Sequence, residues 1–310
     1  MASPAIRVHA PAGGLRGYLL LAGLSLFWGL SWPIMKVALS EIPPWTFRML
    51  SLTLGGAGVL TMARLGGHSL SVPRAELGPL VLVALLNVTG WQLGSAHGLS
   101  MMMAGRAVII GFTMPLWAAI LSAVILKEPL TPRKNIGLLL GLTGLGILIY
   151  PDFGRLEAAP LGVLFMLGAG ISWGAGTVML KRFNWSVPVI VLTGWQLSLG
   201  SLPVVVGALL FEPTIDPGAL SLQVVLAMVY VVAFPMWFCH WAWFSAVEIF
   251  PASIAAIGTL CIPVIGVISS ILVLDEALGL TEWSALVLVV ASLTVVMTGQ
   301  GMQKKNDEES

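Results

Sequence analysis

Ten apolar stretches, each about long enough to cross a bilayer, follow one another with only short interruptions. They cover residues 17–40, 45–65, 77–99, 104–126, 134–150, 161–181, 187–211, 222–247, 251–274 and 282–299. A helix needs about 20 mostly apolar residues to cross the hydrocarbon. Inside it, every backbone N–H and C=O must be satisfied by the chain itself. Stretches of this length and composition read as transmembrane helices. The soluble alternative fails on composition: 57% of residues are hydrophobic and 9% charged, with a mean hydropathy of +0.96. A soluble domain carries roughly 25% charged residues. The net charge of +1 offers no basic face for nucleic acid. Two cysteines, Cys239 and Cys261, lie in apolar stretches and cannot make a disulfide framework or a metal cluster. Residues 1–16 and 300–310 read as terminal tails, the last eight residues polar and expected to be disordered.

Lysine and arginine orient such a chain, because cytoplasmic loops carry their excess. With the N-terminus inside, the inner loops and ends hold Arg7, Arg16, Arg64, Arg74, Lys127, Arg133, Lys134, Lys181, Arg182, Lys304 and Lys305. The outer side holds Lys36, Arg48, Arg106 and Arg155. Eleven against four places both termini in the cytoplasm.

The two halves of the chain repeat each other. Trp28-Gly29 is followed by Lys36, and 145 residues later Trp173-Gly174 is followed at the same distance by Lys181. Pro115 precedes Glu128 by thirteen residues, and Pro263 precedes Glu276 by thirteen. Five helices per half is an odd number, so the second unit (161–299) must be inverted relative to the first (17–150). Inverted repeats around a midplane site are a transporter architecture.

These motifs resemble a known family. The Trp-Gly pair in the first helix, the run from Gly98 to Arg106, Pro115, Lys127-Glu128-Pro129-Leu130 and the glycine-rich fifth helix (Gly137, Gly141, Gly144, Gly146) are similar to the EamA branch of the drug/metabolite transporter superfamily. The second half repeats the pattern through Pro263 and Asp275-Glu276. The resemblance covers almost the whole chain. It implies ten helices, both termini inside, and export of small metabolites by alternating access. Within the family the sequence is most similar to bacterial YddG-type exporters of amino acids, chiefly aromatic ones. It departs from the plastid phosphate translocators, which carry basic residues deep in the late helices. Helices 7 to 10 here have none.

Candidate substrate-binding residues follow from depth and spacing. Trp28, Trp32 and Lys36 share one helix face, and their mates are Trp173, Thr177 and Lys181. Tryptophan stacks on rings and cations and donates one hydrogen bond. Lys36 is a candidate partner for a substrate carboxylate, against the alternative that it snorkels to the outer interface. Asn87, Trp91, Gln92 and His97 give the third helix a polar stripe, facing either a cavity or a neighbouring helix. Trp237, His240 and Trp241 stand in an aromatic run that must cover all faces of helix 8. Pro115 and Pro263 interrupt their helices and are candidate hinges, or else tolerated kinks. Gly170–Gly174 fits a nucleophile-elbow pattern, but lies in mid-helix rather than on a strand–turn–helix. All fourteen carboxylates lie outside the spans or at their ends. That favours a facilitator, or coupling through a deep histidine, over a carboxylate-based antiporter.

The expectation is therefore an all-α, ten-helix inner-membrane carrier, monomeric, needing no cofactor or metal and bearing no enzymatic site. Its partners would be a small-molecule substrate and membrane lipid. A channel, or a membrane enzyme with catalytic groups at depth, are the competing readings.

Overall fold

The computed structural model describes residues 14–150, 159–249 and 259–308. All regular structure among them is helical. The first half contains α1 (Gly14–Ala38) and α2 (Pro44–Leu65). Next, α3 (Arg74–Ala84) runs through a π turn at Leu85–Gly90 into α4 (Trp91–Met101). A break at Phe112 and Thr113 separates α5 (Ala104–Gly111) from α6 (Met114–Ile125), and α7 (Pro132–Ile149) closes the half. The second half begins with α8 (Ala159–Arg182) and α9 (Val189–Phe211). There α10 (Leu222–Val231) passes through another π turn, Val232–Phe238, into α11 (Cys239–Ile249). It ends with α12 (Cys261–Leu274) and α13 (Leu280–Glu308). Several starts are written locally: Ser221 and Thr131 accept from the third backbone N–H beyond them, and Pro132 opens its helix where no donor is needed.

Six helical segments are long and apolar enough to cross a membrane: Arg16–Ala38, Arg74–Met101, Ala104–Ile125, Leu161–Arg182, Val189–Phe211 and Leu222–Trp243. Shorter apolar helices cover Cys261–Leu274 and Leu280–Val296. The 22-residue α2 and 18-residue α7 are less apolar, and pack along α9 and α13 respectively. One expectation is corrected at the C-terminus. The polar tail continues α13 as helix to Glu308, because Gln303, Lys304, Lys305 and Glu308 are good helix formers. Arg155 and the start of the ninth predicted span lie outside the described residues.

Lipid tails give helices no hydrophobic reason to associate, so small residues that allow close approach do the work. Gly56 faces Ser198 across the α2–α9 seam, and Gly200 faces Val88 and the Ala84 carbonyl. Gly94 and Gly98 seat α4 against the Phe165 and Gly162 carbonyls of α8. On the α7–α13 seam, Ser292 Oγ donates to the Gly137 carbonyl at 2.6 Å.

Contacts between the halves come in matched pairs. α1 lies against α10, α11 and α12; α8 lies against α4, α5, α6 and the first π turn. At one end of the bundle Glu41 accepts from Ser221 N at 2.8 Å, and at the other Glu76 accepts from Ser186 N at 3.2 Å. Glu41 and Ser186 are 145 residues apart, as are Glu76 and Ser221, so acid and serine exchange places between the two ends.

Candidate functional site

The Trp-Gly pairs explain themselves in three dimensions. Gly29 is the notch that admits Ile265 and the Ile262 carbonyl of α12, and Gly174 admits Trp117 and Ala118 of α6. A side chain at either glycine would drive the broken helix away. The adjoining tryptophans then face the space between the halves. Trp28 meets His240 edge-on at 5.9 Å, and Trp173 meets Trp91 at 5.4 Å. Trp32 closes on Trp91 at 6.5 Å and on Phe112, at the helix break, at 6.4 Å. An aromatic junction thus draws on α1, α4, α8 and the α5–α6 break.

The first π turn lies just ahead of Trp91, and the second just ahead of His240, which meets Trp28. Such turns insert a residue and re-aim the side chains that follow, and they recur at functional sites. Ser172 Oγ donates to the Leu86 carbonyl at 2.8 Å, and Thr89 Oγ1 to Gly200 O at 2.7 Å. In the second turn Pro235 removes a donor, and His240 Nδ1 lies 3.0 Å from its carbonyl. Asn87 donates weakly to Gln196 Oε1 at 3.4 Å, and its own Oδ1 is buried with no partner among the described residues.

Other predicted residues lie elsewhere. Lys36 does not present its ammonium to the junction. Its Nζ donates to the carbonyls of Leu99 (2.7 Å), Ser100 (3.1 Å) and Met102 (2.8 Å), which uses all three N–H groups to cap α4. Trp237 and Trp241 are each 39% exposed on the periphery, Trp237 held by a bond to the Leu54 carbonyl. The aromatic run covers every helix face, and packing turns His240 inward rather than these two. Thr177 is exposed, with its hydroxyl on the Trp173 carbonyl of its own helix. Gln92 offers Arg48 its backbone carbonyl. Pro115 and Pro263 fall in the first turns of α6 and α12, where a missing donor costs nothing; the break itself lies at Phe112–Thr113.

Sequence reasoning placed Arg48 among outer-end charges. It is instead 2% exposed, inside α2, donating from Nε to Gln92 O at 2.9 Å and from Nη2 to Ser95 Oγ at 3.0 Å. The available signal was a cation inside an apolar run with no acid near it in sequence.

The two ends of the bundle differ in packing. At the Lys36 end, Glu276 accepts from Ala104 N (2.5 Å) and Gly105 N (2.9 Å), an anion on a helix N-terminus. Lys36 and Glu276 attract each other across the α4–α5 link. Arg106 pairs with Glu282 at 3.8 Å and donates to the Leu148 carbonyl at 2.6 Å. The main apolar core is here, including Met35, Ile42, Leu99, Ala104, Ile109, Leu148 and Val267. At the Lys181 end, Glu128 bonds Lys181 and pairs with Lys134 at 3.5 Å, and these contacts hold its carboxyl below the usual carboxylate range. Lys181 is 65% exposed. In α12, Ile262, Pro263, Gly266, Val267, Ser269 and Ser270 are buried; in α6, its counterpart in the repeat, only Leu116 is.

The profile of the EamA-like transporter family matches the chain twice, over residues 15–150 and 160–298. The chain is 31% identical to the uncharacterized transporter YvbV of Bacillus subtilis (strain 168), over 93% of this chain and 94% of that protein. It is 24% identical to a probable amino-acid metabolite efflux pump of Salmonella typhimurium, over 91% and 95% of the two chains. It is 27% identical to the aromatic amino acid exporter YddG of Ancylobacter novellus, over 61% and 67%.

Proposed function

The chain belongs to the EamA-like transporter family, and on that premise we propose that it is a secondary carrier exporting amino acids, neutral or aromatic ones above all, or closely similar small metabolites. Transport runs across the bacterial inner membrane by alternating access. The bundle has ten spans, counting α3–α4, α5–α6 and α10–α11 as one each, arranged as inverted five-helix units with both termini cytoplasmic. The exchange of acid and serine between Glu41–Ser221 and Ser186–Glu76 supports that inversion.

The observation that carries the reading is the aromatic junction supplied by both halves. Trp28, Trp32, Trp91 and Trp173 offer ring faces to a flat or cationic solute, and Asn87 Oδ1, buried without a hydrogen-bond partner among the described residues, is an unfilled acceptor beside them. The contrast between α6 and α12 supports alternating access. Related segments sit in different environments, one sealed into a core and one not, as a carrier open to one side requires. The Lys36 end is then the closed outer gate and the Lys181 end the open inner one, with the Phe112–Thr113 break as a hinge. The two neighbours named as amino-acid exporters favour that substrate class.

Counterflow in proteoliposomes with a panel of amino acids tests the proposal. Saturable uptake, accelerated by the same solute inside, is the expected result. Flux that rises linearly and shows no trans-acceleration would mean a channel. Reporter fusions after Arg74 and Lys134 should read cytoplasmic, and fusions after Arg155 external.

A further inference from the structure

Arg48 is a cation buried inside the helix bundle, in the second turn of α2, without a carboxylate partner. Among the described residues no carboxylate pairs with it. Glu212, which caps the start of α2, spends its oxygens on Trp45 N, Thr46 N and the Thr46 hydroxyl. The two groups Arg48 does bond, a peptide carbonyl and a serine hydroxyl, are neutral. Two of an arginine's five N–H groups are thereby engaged, and Nη1 makes no hydrogen bond to any described residue. The guanidinium also lies over the Phe47 ring, 4.8 Å from its centroid; that contact and the two hydrogen bonds hold the charge but supply no counter-ion. A charge buried without a counter-ion is costly and is a functional-site candidate.

Its position fits a ligand. Ser95 stands about one helical turn beyond Trp91 on the same face of α4, about 6 Å along the axis. The guanidinium therefore lies one turn from the aromatic junction, on the side of the sealed gate. We propose that Arg48 binds the carboxylate of the transported solute, as a bidentate pair, while the rest of the solute rests against Trp91 and its neighbours. A planar guanidinium matches a carboxylate in this way and lysine does not. This inference rests on the amino-acid reading above. It moves carboxylate recognition from Lys36, whose donors are spent, to Arg48, and makes the substrate class carboxylate-bearing.

The test uses the purified full-length protein and two matched pairs: phenylalanine with phenylalaninamide, and 3-phenylpropionate with 3-phenylpropionamide. Binding is read by tryptophan fluorescence, with melting temperature as the folding control. Wild type should bind each acid at least about tenfold more tightly than its amide, a charge-assisted pair's worth. R48Q should lose that preference, and R48K should keep only part of it. Wild type also gives a readout without mutation: arylglyoxal modification at Arg48, mapped by mass spectrometry, should be slowed by 3-phenylpropionate and not by the amide. An acid preference retained by R48Q, or no protection of Arg48, overturns the proposal. If phenylalanine fails in counterflow while 3-phenylpropionate still binds through Arg48, the amino-acid reading falls and this one stands. If wild type and R48Q carry phenylalanine equally, this one falls alone.

Discussion

Replacing Glu276 with glutamine should unlock the outer gate. Its carboxylate accepts from two backbone N–H groups in the first turn of α5 and faces the Lys36 charge that caps α4. Hydrogen bonds to a charged group are worth about 1.5–3 kcal/mol each, and an anion at a helix N-terminus adds about 0.3–1 kcal/mol. Glutamine keeps one neutral acceptor, so the loss is on the order of 2 kcal/mol. At about 1.4 kcal/mol per factor of ten, that shifts the closed–open equilibrium roughly thirtyfold. The assay places a single cysteine at Ile109, fully buried behind the gate, after Cys239 and Cys261 are changed to serine. A membrane-impermeant maleimide on intact cells should then label it about thirty times faster in the Glu276→Gln protein. The counterpart Glu128→Gln should not raise external labelling, because its contacts lie at the opposite end and none of them seals the outer gate. Its effect should also be smaller, since the Lys181 partner is largely exposed and such pairs are worth about 0–1 kcal/mol. Unchanged labelling with Glu276→Gln, or faster external labelling with Glu128→Gln, would refute the gate assignment.

Three other outcomes are expected. Gly200→Ala should lower the melting temperature in detergent, because its Cβ would lie 2.6 Å from Val88 Cβ and 2.9 Å from the Ala84 carbonyl; overpacking of this kind costs about 1–3 kcal/mol. Gly168→Ala, with nothing within 4 Å, should leave it unchanged or slightly raised. Trp91→Ala should cut counterflow affinity roughly tenfold through a lost stacking contact, whereas Trp283→Ala, 40% exposed, should not, with expression and melting matched. The Glu128–Lys181 contact should not respond to pH between about 6 and 8. The Lys181 bond depresses the Glu128 carboxyl, so its stabilisation is complete above the ordinary carboxylate value and fades only as pH falls through the lowered one. Labelling of an inner-end cysteine in inverted vesicles should therefore stay constant across that range.

What the sequence displayed, and what it hid, divide along a physical line. Apolar length and the spacing of Trp28-Gly29 and Trp173-Gly174 are carried by local periodicity, so the helical class and the tryptophans that meet at the junction were readable. The role of a charge depends on which distant neighbour takes its donors. Lys36 looked free because its acceptors are carbonyls at the α4–α5 link, 63 to 66 residues away, and no side chain announces an open carbonyl. Arg48 looked peripheral because it follows Pro43-Pro44 closely, yet α2 runs inward from there beside α4 and takes the guanidinium with it. In the aromatic run of helix 8, period alone could not choose among Trp237, His240 and Trp241; the π turn at Val232–Phe238 shifts the phase and selects His240. The same reasoning explains why the gates were invisible. Glu128 and Glu276 occupy equivalent places in the repeat, and only the packing around α6 and α12 tells that one end is closed. On the proposed alternating-access cycle, a sequence with this symmetry encodes both states alike, and the difference between them lies in which set of matched contacts is made at a given moment.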